Sequence, residues 1–129
     1  MARILVIEDN PANMKLAVFL LEQAGHEVIQ TSDAEEGIRL AHERLPRLIL
    51  MDIQLPGMDG LVATRQLKEN PATHDIKVVA LTAFAMTGDS EKIRAAGCDG
   101  YVAKPIRYKE FLKVVSEMIE GQRQQEQGL

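Results

Sequence analysis

Five positions carry the side chains with chemical potential: Glu8 and Asp9, Asp52, Thr82 and Lys104. They follow four short apolar runs: Arg3–Ile7 (RILVI) before Glu8–Asp9, Leu48–Met51 (LILM) before Asp52, Lys77–Leu81 (KVVAL) before Thr82, and Tyr101–Ala103 (YVA) before Lys104. Taken singly, each has an ordinary explanation. An Asp after a strand is commonly a turn or cap residue, Glu8–Asp9 would cap a helix, Asp59 before Gly60 reads as a cap, and Lys104 alone would be a solvated charge. Independent capping does not explain why Glu8–Asp9, Asp52, Thr82 and Lys104 fall at the ends of four separate apolar runs. Three carboxylates in one pocket repel one another unless a cation joins them. Hard oxygen donors with room for water suit Mg²⁺, or Mn²⁺, over zinc, and no Cys/His spacing offers a zinc site. A carboxylate beside such an ion and an ammonium group is a candidate phosphoryl acceptor. Thr82 has a hydroxyl to offer a phosphate oxygen, and the small Ala83 leaves room beside it.

The elements that must position these residues alternate along the chain. The near-continuous apolar runs read as strands covered on both faces, with Glu27–Thr31 a more polar edge candidate. Between them lie helix-period segments. Pro11 opens the first, with Met14, Ala17, Val18, Leu21 and Ala24 on one face and Gly25 at its end. The second follows Ser32, with Glu35 as capping-box partner, and carries Ile38, Ala41 and Leu45 inward before Pro46. The third starts near Asp59, carries Leu61, Thr64 and Leu67, and breaks at Asn70–Pro71. The fourth, about Asp89–Ala96, has a poor apolar stripe, as a short element or a mobile one would. The fifth has Phe111, Val115, Met118 and Ile119 on one face and stops at Gly121. The expected architecture is α/β, a flavodoxin-like five-stranded parallel sheet in the order 2-1-3-4-5 with helices on both faces. In such sheets ligands bind beyond the carboxyl ends of the strands, where the five chemical residues fall. Strands ~5 Å apart bring Asp9 and Asp52 within reach of one ion.

Length and composition bound the rest. At 129 residues one domain is expected, at 1–121, followed by a polar tail at 122–129 that frays. The single Cys98 excludes an internal disulfide and fits a reducing compartment. With no leader-like start and no bilayer-length apolar run, a cytoplasmic location is expected. A net charge of −4 with mixed signs, no Trp, two Tyr and three Phe argues against nucleic-acid binding. Arg39, Arg44, Arg47 and Lys68 read as solvated helix faces. His26, His42 and His74 share no metal spacing and read as exposed surface residues, and the methionines as scattered core fillers.

Four motifs, in order and over nearly the whole chain, resemble the receiver domains of two-component response regulators: VIEDN at Val6–Asn10, MDIQLPGMDG at Met51–Gly60, ALTAFA at Ala80–Ala85 and GYVAKPI at Gly100–Ile106. The likeness is greatest to single-domain regulators of the DivK type, so the 2-1-3-4-5 order partly borrows from the family. The resemblance implies that Asp52 accepts a phosphoryl group from a phosphohistidine on a sensor kinase or histidine phosphotransfer protein. It makes Asp9 and Asp52 direct Mg²⁺ ligands, Glu8 a ligand through water and the backbone carbonyl of Gln54 another. Thr82 and Lys104 would hold the phosphoryl group, and Lys104–Pro105 would be cis. Tyr101 would be an aromatic switch that turns inward as Thr82 moves, although its position equally fits a half-buried strand aromatic. Gln54 and Phe84 would tune loss of the phosphoryl group, a bulky Phe84 obstructing the attacking water. The acidic pair is Glu-Asp where Asp-Asp is commoner. Output would pass through a downstream protein reading helix four, strand five and helix five, by a shift in populations. The protein would be a monomer and no turnover enzyme, though one that promotes its own phosphorylation and dephosphorylation.

Other functions remain open at this level. A relay intermediate would hand the phosphoryl group on to a histidine phosphotransfer protein. A phosphohydrolase with an aspartyl-phosphate intermediate also needs Asp, Mg²⁺ and Lys, but resembles a DxD arrangement after the first strand with a cap domain. A flavin carrier needs phosphate-binding donors after strand one, where Glu8–Asp9–Asn10–Pro11 offers two negative charges and a proline.

Overall fold

Five strands, β1 (Arg3–Ile7), β2 (Glu27–Thr31), β3 (Leu48–Asp52), β4 (Lys77–Thr82) and β5 (Gly100–Ala103), pair in parallel in the order β2-β1-β3-β4-β5. The computed structural model describes residues 2–55, 57–83 and 89–127. Between the strands run α1 (Pro11–Gln23), α2 (Ala34–Arg44), α3 (Gly60–Glu69), α4 (Asp89–Ala95) and α5 (Tyr108–Gln127). The flavodoxin-like expectation holds, with one refinement: Asp52 and Thr82 are the last residues of their strands, not the first beyond them.

The inner strands are apolar throughout because both faces are covered. Ile4, Val6, Leu50 and Leu81 face a core completed by Ala17 and Leu21 of α1 and Phe111, Val115 and Ile119 of α5. Leu5, Ile7, Ile49 and Met51 face the opposite core, with Ala41 of α2, Leu67 of α3 and Ile93 of α4. Alternate residues of one strand thus serve opposite layers, the period-2 rule at work. The edge strand β2 is only half-buried, which its Glu and Gln tolerate.

Several local expectations are corrected. The cap of α2 is Asp33, whose carboxylate accepts the Glu36 N–H at 3.2 Å, rather than Ser32. Leu45 does not pack inward. It is exposed in the left-handed region at φ 43°, because Pro46 bars the preceding residue from continuing the helix. Ala24 is exposed as the C-cap of α1. Helix α5 passes through Gly121 to Gln127, since one glycine costs only ~1 kcal/mol in a helix and the Gln, Arg and Glu beyond it are good helix formers. His26 is half-buried, its Nδ1 accepting the Ala2 N–H at 3.2 Å, and burial lowers its pKa.

Lys68 is no solvated charge either. Its Nζ donates to Ile76 O at 2.8 Å, His74 O at 3.4 Å and Asp99 Oδ2 at 2.9 Å. Asp99 Oδ2 also accepts the Val78 N–H at 2.8 Å, so the cluster ties α3 to the start of β4 and to the α4–β5 connection.

Candidate functional site

The parallel register brings the carboxyl ends of β1, β3 and β4 side by side, with Ile7 opposite Met51 and Asp52 opposite Leu81. The chain leaving β1 therefore carries Glu8 and Asp9 next to Asp52. Their carboxylate oxygens lie within 4.8 Å of one another. Glu8 and Asp52 are buried, and Asp9 is open to solvent. The fourth member comes from the end of β5. The Lys104 N–H donates to Thr82 O at 2.8 Å, which extends the β4–β5 ladder, and the following Lys104–Pro105 peptide is cis as expected.

From there the lysine reaches back across the sheet ends. Lys104 Nζ lies 2.9 Å from Glu8 Oε1 and 3.2 Å from Asp52 Oδ2. The contact with Glu8 is off-axis, so the buried Oε1 has no aligned hydrogen-bond donor. Backbone donors orient the other oxygens: Asn10 N–H to Glu8 Oε2 at 3.0 Å and Gln54 N–H to Asp52 Oδ1 at 2.9 Å. Asn10 also caps α1, accepting the Asn13 N–H at 3.0 Å, so one residue starts the helix and orients the acid. That double role has no signature in the sequence beyond an Asn before Pro11.

The charges are unbalanced. Burial, then the adjacent Glu8, raise the pKa of Asp52, outweighing the Gln54 N–H and Lys104. Burial works against the charge on Lys104, yet the Glu8 and Asp52 carboxylates overcome it and raise its pKa. Three carboxylates against one ammonium leave a site that attracts further positive charge.

Of the remaining expected residues, Thr82 and Gln54 lie next to this cup. Thr82 is buried at the end of β4 beside the exposed Ala83. Gln54 is exposed at the rim. Tyr101 points to solvent, 44% exposed. Phe84 and most of the segment leading into α4 lie outside the described residues. Among the described residues, Glu8, Asp9 and Asp52 are the one acidic cluster of metal-binding geometry, and no helix is long and apolar enough to cross a membrane.

Residues 4–116 match the response regulator receiver domain. The chain belongs to that family. Over 116 residues it is 45% identical to the polar-differentiation response regulator DivK of Brucella anthropi, covering 90% of this chain and 94% of that protein, and equally identical to DivK of Brucella ovis. Among solved structures it is similar to a putative response regulator from Chloroflexus aurantiacus, with a TM-score of 0.89, 25% identity, and coverage of 92% of this chain and 98% of that one. It is also similar to the receiver domain of a sensor histidine kinase from Pseudomonas aeruginosa, which has a magnesium ion coordinated in its active-site cleft, with a TM-score of 0.86, 34% identity and the same coverage. The chain is thus a two-component receiver of DivK-like type, with an acidic cluster that fits a phosphorylation site.

Proposed function

We propose that this receiver accepts a phosphoryl group from a phosphohistidine onto Asp52 and converts that event into a change of its protein-binding face. The observation that carries the reading is the reach of Lys104 Nζ to both buried carboxylates, 2.9 Å from Glu8 and 3.2 Å from Asp52, with Asp9 completing the cup.

The donor set fits a divalent cation. Oxygen ligands gather within 4.8 Å, and buried Glu8 Oε1 lacks an aligned donor. Asp9 and Asp52 would be direct ligands, with Glu8 acting through water and Gln54 offering its carbonyl. When bound, Mg²⁺ neutralises phosphoryl oxygens and lowers the repulsion between nucleophile and donor. The chain's own residues do the rest. Asp52 Oδ2 forms the new P–O bond while the P–N bond of the phosphohistidine breaks, its electron pair returning to the imidazole. Asp52 Oδ1, held by the Gln54 N–H, fixes the orientation of the attacking carboxylate. Lys104 gives up Asp52 as its carboxylate charge is spent and pairs with a phosphoryl oxygen. Thr82, at the next strand end, offers its hydroxyl to another.

Movement of Thr82 toward the phosphoryl group would let the outward-facing Tyr101 turn inward, altering the surface of α4, β5 and α5. A sensor kinase or a histidine phosphotransfer protein would supply the group, and a downstream protein would read the face. Phe84 would slow hydrolysis of the product.

The test is labelling with acetyl phosphate. A stoichiometric, alkali-labile adduct should form with Mg²⁺ and fail to form in EDTA. Sustained turnover of a chromogenic phosphate monoester would instead favour a phosphohydrolase. Transfer of label from the adduct to a histidine phosphotransfer protein would place the chain within a relay.

A further inference from the structure

Two glycines shape the loop that follows Asp52, Gly57 within it and Gly60 at its end, and they are needed for opposite reasons. Gly57 has φ +77°, a left-handed conformation, with open space where a side chain would go. Gly60, the first residue of α3, has no such φ but has no space. A Cβ there would overlap the backbone carbonyl oxygen of Asp52 and stand 2.7 Å from Ile53 Cα and 3.0 Å from the Asp52 carbonyl carbon. These neighbours are backbone atoms at and just after the end of a central strand, which cannot swing aside as a flexible side chain would.

The contact is built from several directions. The Gly60 N–H donates to Ile53 O at 3.4 Å, closing the loop onto its own start. Asp59 caps the helix by accepting the Leu61 N–H at 2.6 Å, and Thr64 Oγ1 donates to Gly60 O at 2.9 Å from the next turn. Helix α3 is therefore seated directly on the peptide of Asp52.

We propose that Gly60 is a positioning residue for phosphoryl transfer: the bare backbone at the start of α3 sets where Asp52 can stand. The inference rests on the reading of Asp52 as the phosphoacceptor. In the step it serves, an Asp52 carboxylate oxygen bonds to phosphorus while the donor's bond to phosphorus breaks, the leaving group keeping the electron pair. Such attack needs reacting atoms ~3–3.5 Å apart and aligned, and a displacement of ~1 Å can cost ~100-fold in rate. A methyl group at position 60 forces that kind of displacement on Asp52, or lifts α3 from its seat.

The experiment measures the initial rate of labelling by acetyl phosphate with Mg²⁺, per folded molecule, in the wild type, Gly60→Ala, Gly57→Ala and Leu67→Ala. The last two are controls: one strains the same loop, and the other weakens the packing of α3 without approaching Asp52. Gly60→Ala should be slower by at least ~10-fold, while both controls stay within about twofold of the wild type and lose only thermal stability. The amide resonance of Gln54, whose N–H is bonded to Asp52 Oδ1, should shift in Gly60→Ala and stay in place in Leu67→Ala. Labelling of Gly60→Ala at the wild-type rate overturns the proposal. If Gly60→Ala does not fold, Thr64→Val, which removes the hydroxyl holding Gly60 O, should slow labelling by about threefold, and an unchanged rate there overturns it. If the wild type itself takes no label, the phosphoacceptor reading fails instead. The Gln54 resonance then decides the seat alone, and an unmoved signal in Gly60→Ala rejects it.

Discussion

Two lysine–carboxylate clusters stand at opposite ends of the same sheet, and they differ in how well their charges are satisfied. At the amino end of β4, Lys68 has three acceptors for its three protons, and the Asp99 oxygen it meets also takes a backbone N–H. Nothing there calls for another partner. At the carboxyl ends, Lys104 faces two buried acids with a third alongside, one buried oxygen lacks an aligned donor, and Asp52 is held above the ordinary carboxylate range. The first arrangement is that of a brace, and the second that of a site prepared for something charged to enter. Perturbed groups with unmet valences mark function better than charge density does.

The contrast predicts opposite phenotypes for the two lysines. Lys104→Ala should lower the rate of labelling by about 100-fold, the scale of losing one charge-stabilising donor, and leave the fold intact by circular dichroism. Equal rates in variant and wild type would remove Lys104 from the mechanism. Lys68→Ala should do the reverse. Stranding the carbonyls and Asp99 should cost about 1–3 kcal/mol of stability by denaturant unfolding, with labelling per folded molecule unchanged. A loss of labelling greater than the loss of folded protein would mean that the brace also serves the site.

A smaller effect follows from the raised pKa of Asp52. A carboxyl group whose folded-state value exceeds its unfolded one binds its proton more tightly when folded. Its contribution is favourable at low pH and is lost as pH rises from the ordinary 3.8 through the higher folded value. In EDTA, Asp52→Asn, which removes the charge, should therefore stabilise the protein at neutral pH by about 1 kcal/mol, a few degrees in Tm. The gain should vanish below about pH 4, and Mg²⁺ should raise the Tm of the wild type more than that of the variant. A destabilised variant at pH 7 without metal would show that the acids are already balanced.

The comparison also shows what a linear sequence discloses. The strands were legible because both faces of the inner sheet are buried, so RILVI and LILM are apolar at every central position. The acidic cup was legible because Glu8–Asp9 and Lys104 come straight after such runs and Asp52 closes one. The brace was not. Lys68 and Asp99 lie 31 residues apart and meet only through the tertiary fold, and on its helix Lys68 looks like any solvated lysine. Gly60 was equally silent, since a glycine beside a capping Asp is ordinary, and only the backbone passing beneath it makes the missing side chain necessary. Leu45 misled because helical period alone places it inward, whereas the following proline turns it out.

The most direct measurement is peptide mapping by mass spectrometry after incubation with acetyl phosphate and Mg²⁺. Phosphorylation of Asp52 predicts one adduct of about 80 Da, as for a single acyl phosphate, borne by Asp52 and missing from Asp52→Asn. An adduct on any other residue, or one that persists in the variant, would contradict it.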